Sequence, residues 1–293
     1  MEGSRGLGDV YKRQGIENSR NLMTIRIAQY LGMEKVAEIA NRTGVMENMP
    51  NVLSMALGAG ETSLIDLTAA YASFVNGGKK VEPSLIDRIQ DRRGKNIFLE
   101  NFAACTNCDE PYIEENPMPK LVNSSESIFD EAKSYQMVSI LKGAVDRGTG
   151  RKTKIDGIEI AGKTGTTNNN TDAWFIGFTS DLIIGVYAGF DKPKSLGKRE
   201  TGSSVAVPIF RDFVKNYYQE KPILPFTIPN GIELIKINYD TGEIASNFNS
   251  SESVYEAFSK SDNLVSSGEI LVGSEGFQII EVADEVMEEY VIY

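Results

Sequence analysis

The 293-residue sequence contains no histidine. That absence removes Ser-His-Asp and Cys-His catalysis outright. It also removes the commonest metal ligand. Any acid–base chemistry has to run on Lys, Asp, Glu, Tyr or Ser. Basic residues are scarce too: 30 Lys and Arg stand against 41 Asp and Glu, a net charge of −11. Phosphate neutralisation needs clustered cations, so this balance argues against nucleic-acid binding as a main function. No apolar run is long enough for a membrane-spanning helix, and no signal peptide is visible. Cysteine is limited to Cys105 and Cys108, in CTNC. One C-x-x-C is half a zinc site, and there is no second half. Its flanks, NFAA and DEPYIEENP, read as an irregular loop rather than the helix start of a redox motif. A surface disulfide in an oxidising compartment is the favoured reading, and two free thiols the other. No cofactor is implied.

What is present is an apolar content of 41%, enough to fill a core in one large domain or two small ones. Residues 1–14, MEGSRGLGDVYKRQ, lack apolar periodicity and read as an unassigned leader, disordered or foreign. SRNLMTIRIAQYLG then puts Leu22, Ile25, Ala28 and Leu31 near one helical face, with Gly32 suited to the stop. MEKVAEIANRTG continues as a second helix that ends at Gly44. SLIDLTAAYASFVNGG is a third, with Ser63 and Asp66 resembling a capping box and Leu64, Leu67, Tyr71 and Phe74 forming the stripe. A hairpin turns at Arg92–Lys95, and residues 100–127 read as a polar loop. IFDEAKSYQMVSILKGAVDRG is a helix with Tyr135, Val138, Leu141 and Val145 on one stripe, and Arg147–Gly150 is its exit turn. GIEIAGKTG, DAWFIGFTS and LIIGVYAGF read as strands, with Ser180-Asp181 joining the last two as in a meander. VAVPIFRDFVKNYYQ closes the region as a helix, Pro208 sitting near its start. Residues 222–293 form an acidic, partly disordered C-terminal extension in which IELIKINYDTGEIA reads as a hairpin. Helices, then an antiparallel sheet, then a covering helix make an α+β architecture.

The stretch from Gly157, GIEIAGKTGTTNNNT, carries two incompatible patterns. GIEIAGKT satisfies the P-loop spacing. A P-loop needs a phosphate-wrapping loop between its glycines and a helix opening at the Lys-Thr. Here the middle residues, Ile158, Glu159, Ile160 and Ala161, are strand-prone, and GTTNNNT cannot open a helix. A nucleotide-binding reading survives only formally. The rival is Lys-Thr-Gly. Gly165 lets a substrate backbone lie against the strand. Thr164 and Thr166 offer hydroxyls to a substrate carboxylate, and Lys163 adds a positive field there. The Thr166 N–H suits a developing oxyanion. Ser19-Arg20-Asn21 supplies a matching Ser-x-Asn: a hydroxyl able to relay a proton and an amide able to hold a peptide group. Alone, Ser19 would read as a helix N-cap.

Five blocks in order, SRNLMTIRIAQYLGMEKV, SMALGAGETSLIDLTAAYASFVNGG, YQMVSILKGAVDRGTG, AGKTGTTNNNTDAWFIGF and GFDKPKSLGKRETGSSVAVPIFRDF, resemble the transpeptidase domain of bifunctional class A penicillin-binding proteins, 1A type. The likeness runs from Gly15 to Tyr218 and loosely to Ala245. It implies a penicillin-binding transpeptidase / β-lactamase-like fold over residues 15–221, N-terminally incomplete. It implies a serine D,D-transpeptidase that cross-links peptidoglycan stem peptides ending in D-Ala-D-Ala and is acylated by β-lactams. Ser19, Asn21 and Lys163 take catalytic places, and Thr164, Gly165 and Thr166 bind substrate. The parent of such a domain also carries a glycosyltransferase domain and a membrane anchor, at the periplasmic face of the bacterial inner membrane.

The family's Ser-x-x-Lys nucleophile should precede Ser-x-Asn. The two such strings here, Ser139–Lys142 and Ser195–Lys198, both follow it and are rejected. The chain is therefore expected to lack the nucleophile and to form no acyl-enzyme alone. A non-catalytic module that keeps the fold, for binding or scaffolding, is the alternative. Asp172 reads as a turn residue and Trp174 as core. Thr201-Gly202-Ser203 either borders the cleft or is a plain loop.

Overall fold

The computed structural model describes residues 9–100, 103–106, 120–123, 125–240, 242, 253–260, 270–273 and 276–279. Three helices open the chain: α1 (Asp9–Glu17), α2 (Asn21–Leu31) and α3 (Met33–Arg42). Helix α1 crosses the boundary set at residue 14, so residues 9–14 are helical rather than disordered. Gly32, at φ 85°, separates α2 from α3 in a left-handed conformation that a β-carbon would oppose. The stripe expected on α2 is only partly covered: Ala28 is buried, but Leu22 is 62% exposed.

Helix α4 (Leu64–Val75) starts where the sequence places it, because the Ser63 hydroxyl accepts the Asp66 N–H at 3.1 Å. The hairpin β1 (Arg88–Gln90) and β2 (Asn96–Leu99) turns through Gly94, with Asp91 Oδ1 accepting the backbone N–H groups of Arg93 and Lys95. The polar loop expected over 100–127 instead holds a second antiparallel hairpin, β3 (Ala103–Thr106) with β4 (Lys120–Asn123). Cys105 lies in β3, while Cys108 falls outside the described residues, as does the disulfide proposed for the pair.

The centre is α5 (Glu131–Asp146) and a three-stranded antiparallel sheet, β5 (Ala161–Thr166), β6 (Ala173–Phe178) and β7 (Ile183–Ala188), in that spatial order. Asp130 caps α5 by accepting the Ala132 and Lys133 N–H groups. Strand β5 begins four residues later than the pattern from Gly157 suggested, because Ile155 and Ile158 close a bridged turn of their own. Side chains alternate across β6. On one side Phe175 meets Phe210 of α6 (Val207–Tyr217) edge-on at 4.9 Å, among Val186, Val207, Val214 and Tyr218. The second core joins Phe178 to Val138, Leu141, Ala161 and Phe226. Each fully buried phenylalanine contributes roughly 2–3 kcal/mol by leaving water.

The extension after residue 221 is tied into this core. Phe226 packs on Phe178, and its N–H donates to Glu159 Oε2 at 2.9 Å. The hairpin expected within residues 232–245 is replaced by a longer-range pair. Strand β8 (Ile232–Asn238) joins β9 (Ser253–Ser259), and Ile232 and Ala257 close against Ala132 of α5. A last hairpin, β10 (Ile270–Gly273) with β11 (Gly276–Ile279), completes the described chain.

Candidate functional site

The peptide between α1 and α2 doubles back. The Ser19 N–H donates to the Ile16 carbonyl at 3.2 Å and the Arg20 N–H to the Gly15 carbonyl at 2.8 Å. Ser19 itself sits at φ 51°, an uncommon conformation for a residue with a side chain. The bend leaves Ser19 exposed and puts Asn21 on the first, exposed position of α2. Ser19 therefore does not cap α2, whose N-cap is Arg20 with no side-chain hydrogen bond.

Across from this bend runs β5. Lys163, Thr164, Gly165 and Thr166 pair with Ile176, Phe175, Trp174 and Ala173 of β6. This continuous ladder rules out the P-loop: the Lys-Thr lies inside a strand, and no helix opens there. The Lys163 ammonium donates to the Ser19 hydroxyl and, at 3.0 Å, to the Thr164 carbonyl. Residues 144 apart in sequence thus meet at one proton-bearing contact. Burial pushes the Lys163 pKa down from 10.5 to about 8, since desolvation penalises the ammonium.

Thr164 and Thr166 are each engaged by the protein. The Thr164 hydroxyl shares a 2.8 Å hydrogen bond with Thr149. The Thr166 hydroxyl accepts the Gly202 N–H at 3.0 Å, leaving its own proton to donate. Gly202 opens a single π-helical turn, Gly202–Ala206, that leads into α6. Of the two readings of Thr201-Gly202-Ser203, contact with the Lys-Thr-Gly strand is the one observed. Asp172 accepts hydrogen bonds from the hydroxyls of Tyr187, Thr167 and Thr171, and these hold its carboxyl below the usual range, Tyr187 most of all. Trp174 is half-buried and packs on Tyr187 at 4.7 Å.

Neither Ser-x-x-Lys string has the features of a nucleophile pair. Ser139 lies within α5, and the Lys142 ammonium is ion-paired to Glu159. The Ser195 hydroxyl accepts the Gly197 N–H at 3.2 Å in an exposed loop. Among the described residues no group of three or more His, Cys, Asp and Glu side chains could hold a metal ion, and no helix is long and apolar enough to cross a membrane.

Thr149 was legible in the sequence only as part of an exit turn, and Gly202 only within a segment that could equally border the cleft or be a plain loop. Their partners on β5 are 15 and 36 residues away, and no local pattern records such contacts.

Comparison with known proteins gives one consistent result. A family model for the penicillin-binding protein transpeptidase domain matches residues 2–215. Penicillin-binding protein 1A of Rickettsia conorii is 45% identical over 244 residues, covering 81% of this chain and 30% of that protein. Its counterpart in Pseudomonas aeruginosa is 31% identical over 299 residues, covering 92% of this chain and 36% of that protein. The crystal structure of penicillin-binding protein 1A from Haemophilus influenzae matches with a TM-score of 0.71 at 28% identity, over 85% of this chain and 40% of that one. The chain spans about a third of the length of the curated relatives it matches.

Proposed function

The chain belongs to the penicillin-binding protein transpeptidase family, and from that premise we propose that it supplies the Ser-x-Asn and Lys-Thr-Gly side of a serine D,D-transpeptidase site. The substrate is a peptidoglycan stem peptide ending in D-Ala-D-Ala. The nucleophilic serine sits on a Ser-x-x-Lys block outside this chain, so the chain alone forms no acyl-enzyme. Its parent is a bifunctional enzyme with a glycosyltransferase domain, anchored upstream in the bacterial inner membrane and working at the periplasmic face.

The contact between Lys163 and Ser19 carries this reading. The serine Oγ adds to the carbonyl carbon of the penultimate D-Ala while its proton passes to the lysine of its own block. The Thr166 N–H is suited to the oxyanion that develops. When the C–N bond breaks, the terminal D-Ala leaves as an amine that takes a proton through the Ser19 hydroxyl. The amine of a neighbouring stem then attacks the ester, and its surplus proton returns by the same relay as the serine is released. Asn21 holds the donor peptide group. Lys163, Thr164 and Thr166 receive the terminal carboxylate, and Gly165 lets the substrate strand approach. A β-lactam presents the same carboxylate and amide and acylates the same serine, its ring opening in place of D-Ala departure.

The test uses the protein extended upstream through its Ser-x-x-Lys block and a fluorescent penicillin. The extended protein should be labelled covalently. Lys163→Ala should slow labelling by about 100-fold or more, as expected for losing the charge that holds the substrate carboxylate beside the reacting carbonyl. An extended protein that folds yet never labels would mean a binding or scaffold module that keeps the fold without the chemistry.

A further inference from the structure

The strongest buried charge among the described residues that this mechanism leaves unused lies two positions before Ser19. Glu17 is 0% exposed. Its carboxylate accepts hydrogen bonds from the Arg147 guanidinium, and at 3.2 Å from the Tyr239 hydroxyl. The buried Arg13 guanidinium also reaches it at 3.2 Å and is paired in addition with Glu256 of β9. Arg147 in turn lies 5.5 Å over the Tyr239 ring. Burial, and then the Glu17 charge, hold the Tyr239 phenol above its ordinary pKa, so it stays a donor.

The socket around Glu17 is shaped by two glycines of the α5 region. A β-carbon at Gly143 would lie 1.8 Å from Glu17 Oε1, and one at Gly148 would lie 2.1 Å from the Glu17 carbonyl oxygen. At Gly148 the obstacle is backbone, so only glycine fits there; at Gly143 a β-carbon would push the Glu17 carboxylate and the Arg147 guanidinium out of their contact. The Glu17 carbonyl accepts the Thr149 N–H at 3.0 Å. Thr149 is also the residue whose hydroxyl meets Thr164. One turn, Arg147–Thr149, therefore grips both halves of the site. Its guanidinium and backbone hold the end of α1, and its threonine side chain holds β5.

We propose that Glu17 is a positioning residue, which locks the left-handed Ser19 bend onto the α5 exit turn so that the Ser19 hydroxyl and the Lys163 strand keep a fixed separation. Removing the carboxylate takes the charged partner from the half-buried Arg147 guanidinium and frees the bend to relax from its uncommon φ. Substrate capture by Lys163, Thr164 and Thr166 is unaffected, because β5 is held by its ladder to β6. The proton relay loses its alignment. The proposal rests on the transpeptidase reading for its kinetic consequence, but not for its structural one.

The test compares Glu17→Gln, and the milder Tyr239→Phe, in the extended protein. Two quantities are read from penicillin labelling: the acylation rate constant and the fraction labelled at saturation. A misplaced catalytic group costs on the order of 10- to 100-fold in rate. Glu17→Gln should slow acylation in that range with the labelled fraction unchanged, and Tyr239→Phe should slow it less. Amide hydrogen exchange should accelerate at residues 18–20 while β5 and β6 stay protected. A rate within about twofold of the unsubstituted protein would overturn the proposal. So would a reduced labelled fraction at an unchanged rate, which marks Glu17 as a folding residue only. If the unsubstituted protein is never labelled, the functional reading fails instead. The exchange comparison then decides, since equal exchange at residues 18–20 would refute the lock.

Discussion

Lys163 is asked to keep a positive charge in a place that disfavours one. Its pKa falls from 10.5 to about 8 because burial strips water from the ammonium. Its contacts with Ser19 and the Thr164 carbonyl repay only part of that loss. The folded-state value lies below the unfolded one, so between pH 8 and pH 10.5 the unfolded chain holds more protons. The destabilisation is therefore complete below pH 8 and is relieved as pH rises through that window. A fall of this size corresponds to at most about 3 kcal/mol. Lys163→Met should accordingly raise stability at pH 7 by about 1–3 kcal/mol while slowing acylation by about 100-fold or more, the trade expected where a site is built for function rather than stability. Urea melts at pH 7 and pH 10.5 check this. A Met variant that is less stable at pH 7, or whose advantage does not shrink at the higher pH, would sink the idea. For the unsubstituted site the same titration predicts that acylation declines as pH rises past about 8, because the neutral amine no longer attracts the substrate carboxylate.

The site's elements are held apart by glycine as much as by side-chain contacts. Gly165 leaves room for a substrate strand, but it also leaves room for Trp174, whose Cβ would be 3.1 Å from an added β-carbon. Gly202 is tighter still: a β-carbon there would lie 2.4 Å from the Trp174 carbonyl oxygen and 2.5 Å from that of Gly165. Both obstacles are backbone, so they cannot swing away. Gly202→Ala should push the π-turn off β5, break the Thr166 hydrogen bond, and cost about 2–4 kcal/mol with a matching loss of labelling. A variant with unchanged melting and labelling would mean that the turn slides freely on the strand. What could be read in advance follows from range. The helix start at Ser63, the β6–β7 meander and the Lys-Thr-Gly strand each carry their cause within a few residues. So do Ser19 and Lys163 as motif members. Glu17, Arg147, Thr149 and Gly202 do not, because each acquires its role from a partner that only folding brings near. Strand β9 escaped for the same reason: β8 offered a tempting turn at Asp240-Thr241-Gly242, yet its partner begins at Ser253.

At the scale of the molecule, the extension that begins at residue 222 is where the description by sequence and the packing part company. Its composition sets it apart, but its first half closes the core. Phe226 lies edge-on to Phe178, and Ser180 donates to the Leu224 carbonyl. Gln136 of α5 donates to the Ala257 carbonyl of β9, and Tyr239 reaches the Glu17 carboxylate. These contacts reach the Phe178 core, α5 and the socket beneath Ser19. Strands β10 and β11 pair only with each other, as β8 and β9 do, but among the described residues no core cluster includes them, whereas Ile232 of β8 and Ala257 of β9 close on α5. Two truncations of the extended protein separate these cases. Ending the chain after Lys260 should leave the melting temperature and the acylation rate close to those of the uncut protein. Ending it after Lys221 uncovers Phe178 and α5 and removes Tyr239. Losing one large buried aromatic alone costs about 3–5 kcal/mol, comparable to the whole stability of a modest domain. The shorter protein should therefore fail to fold or melt far below the longer one, as followed by circular dichroism. If both truncations melt alike and label alike, then residues 222–260 are an appendage, and the bracket holding Ser19 does not depend on them.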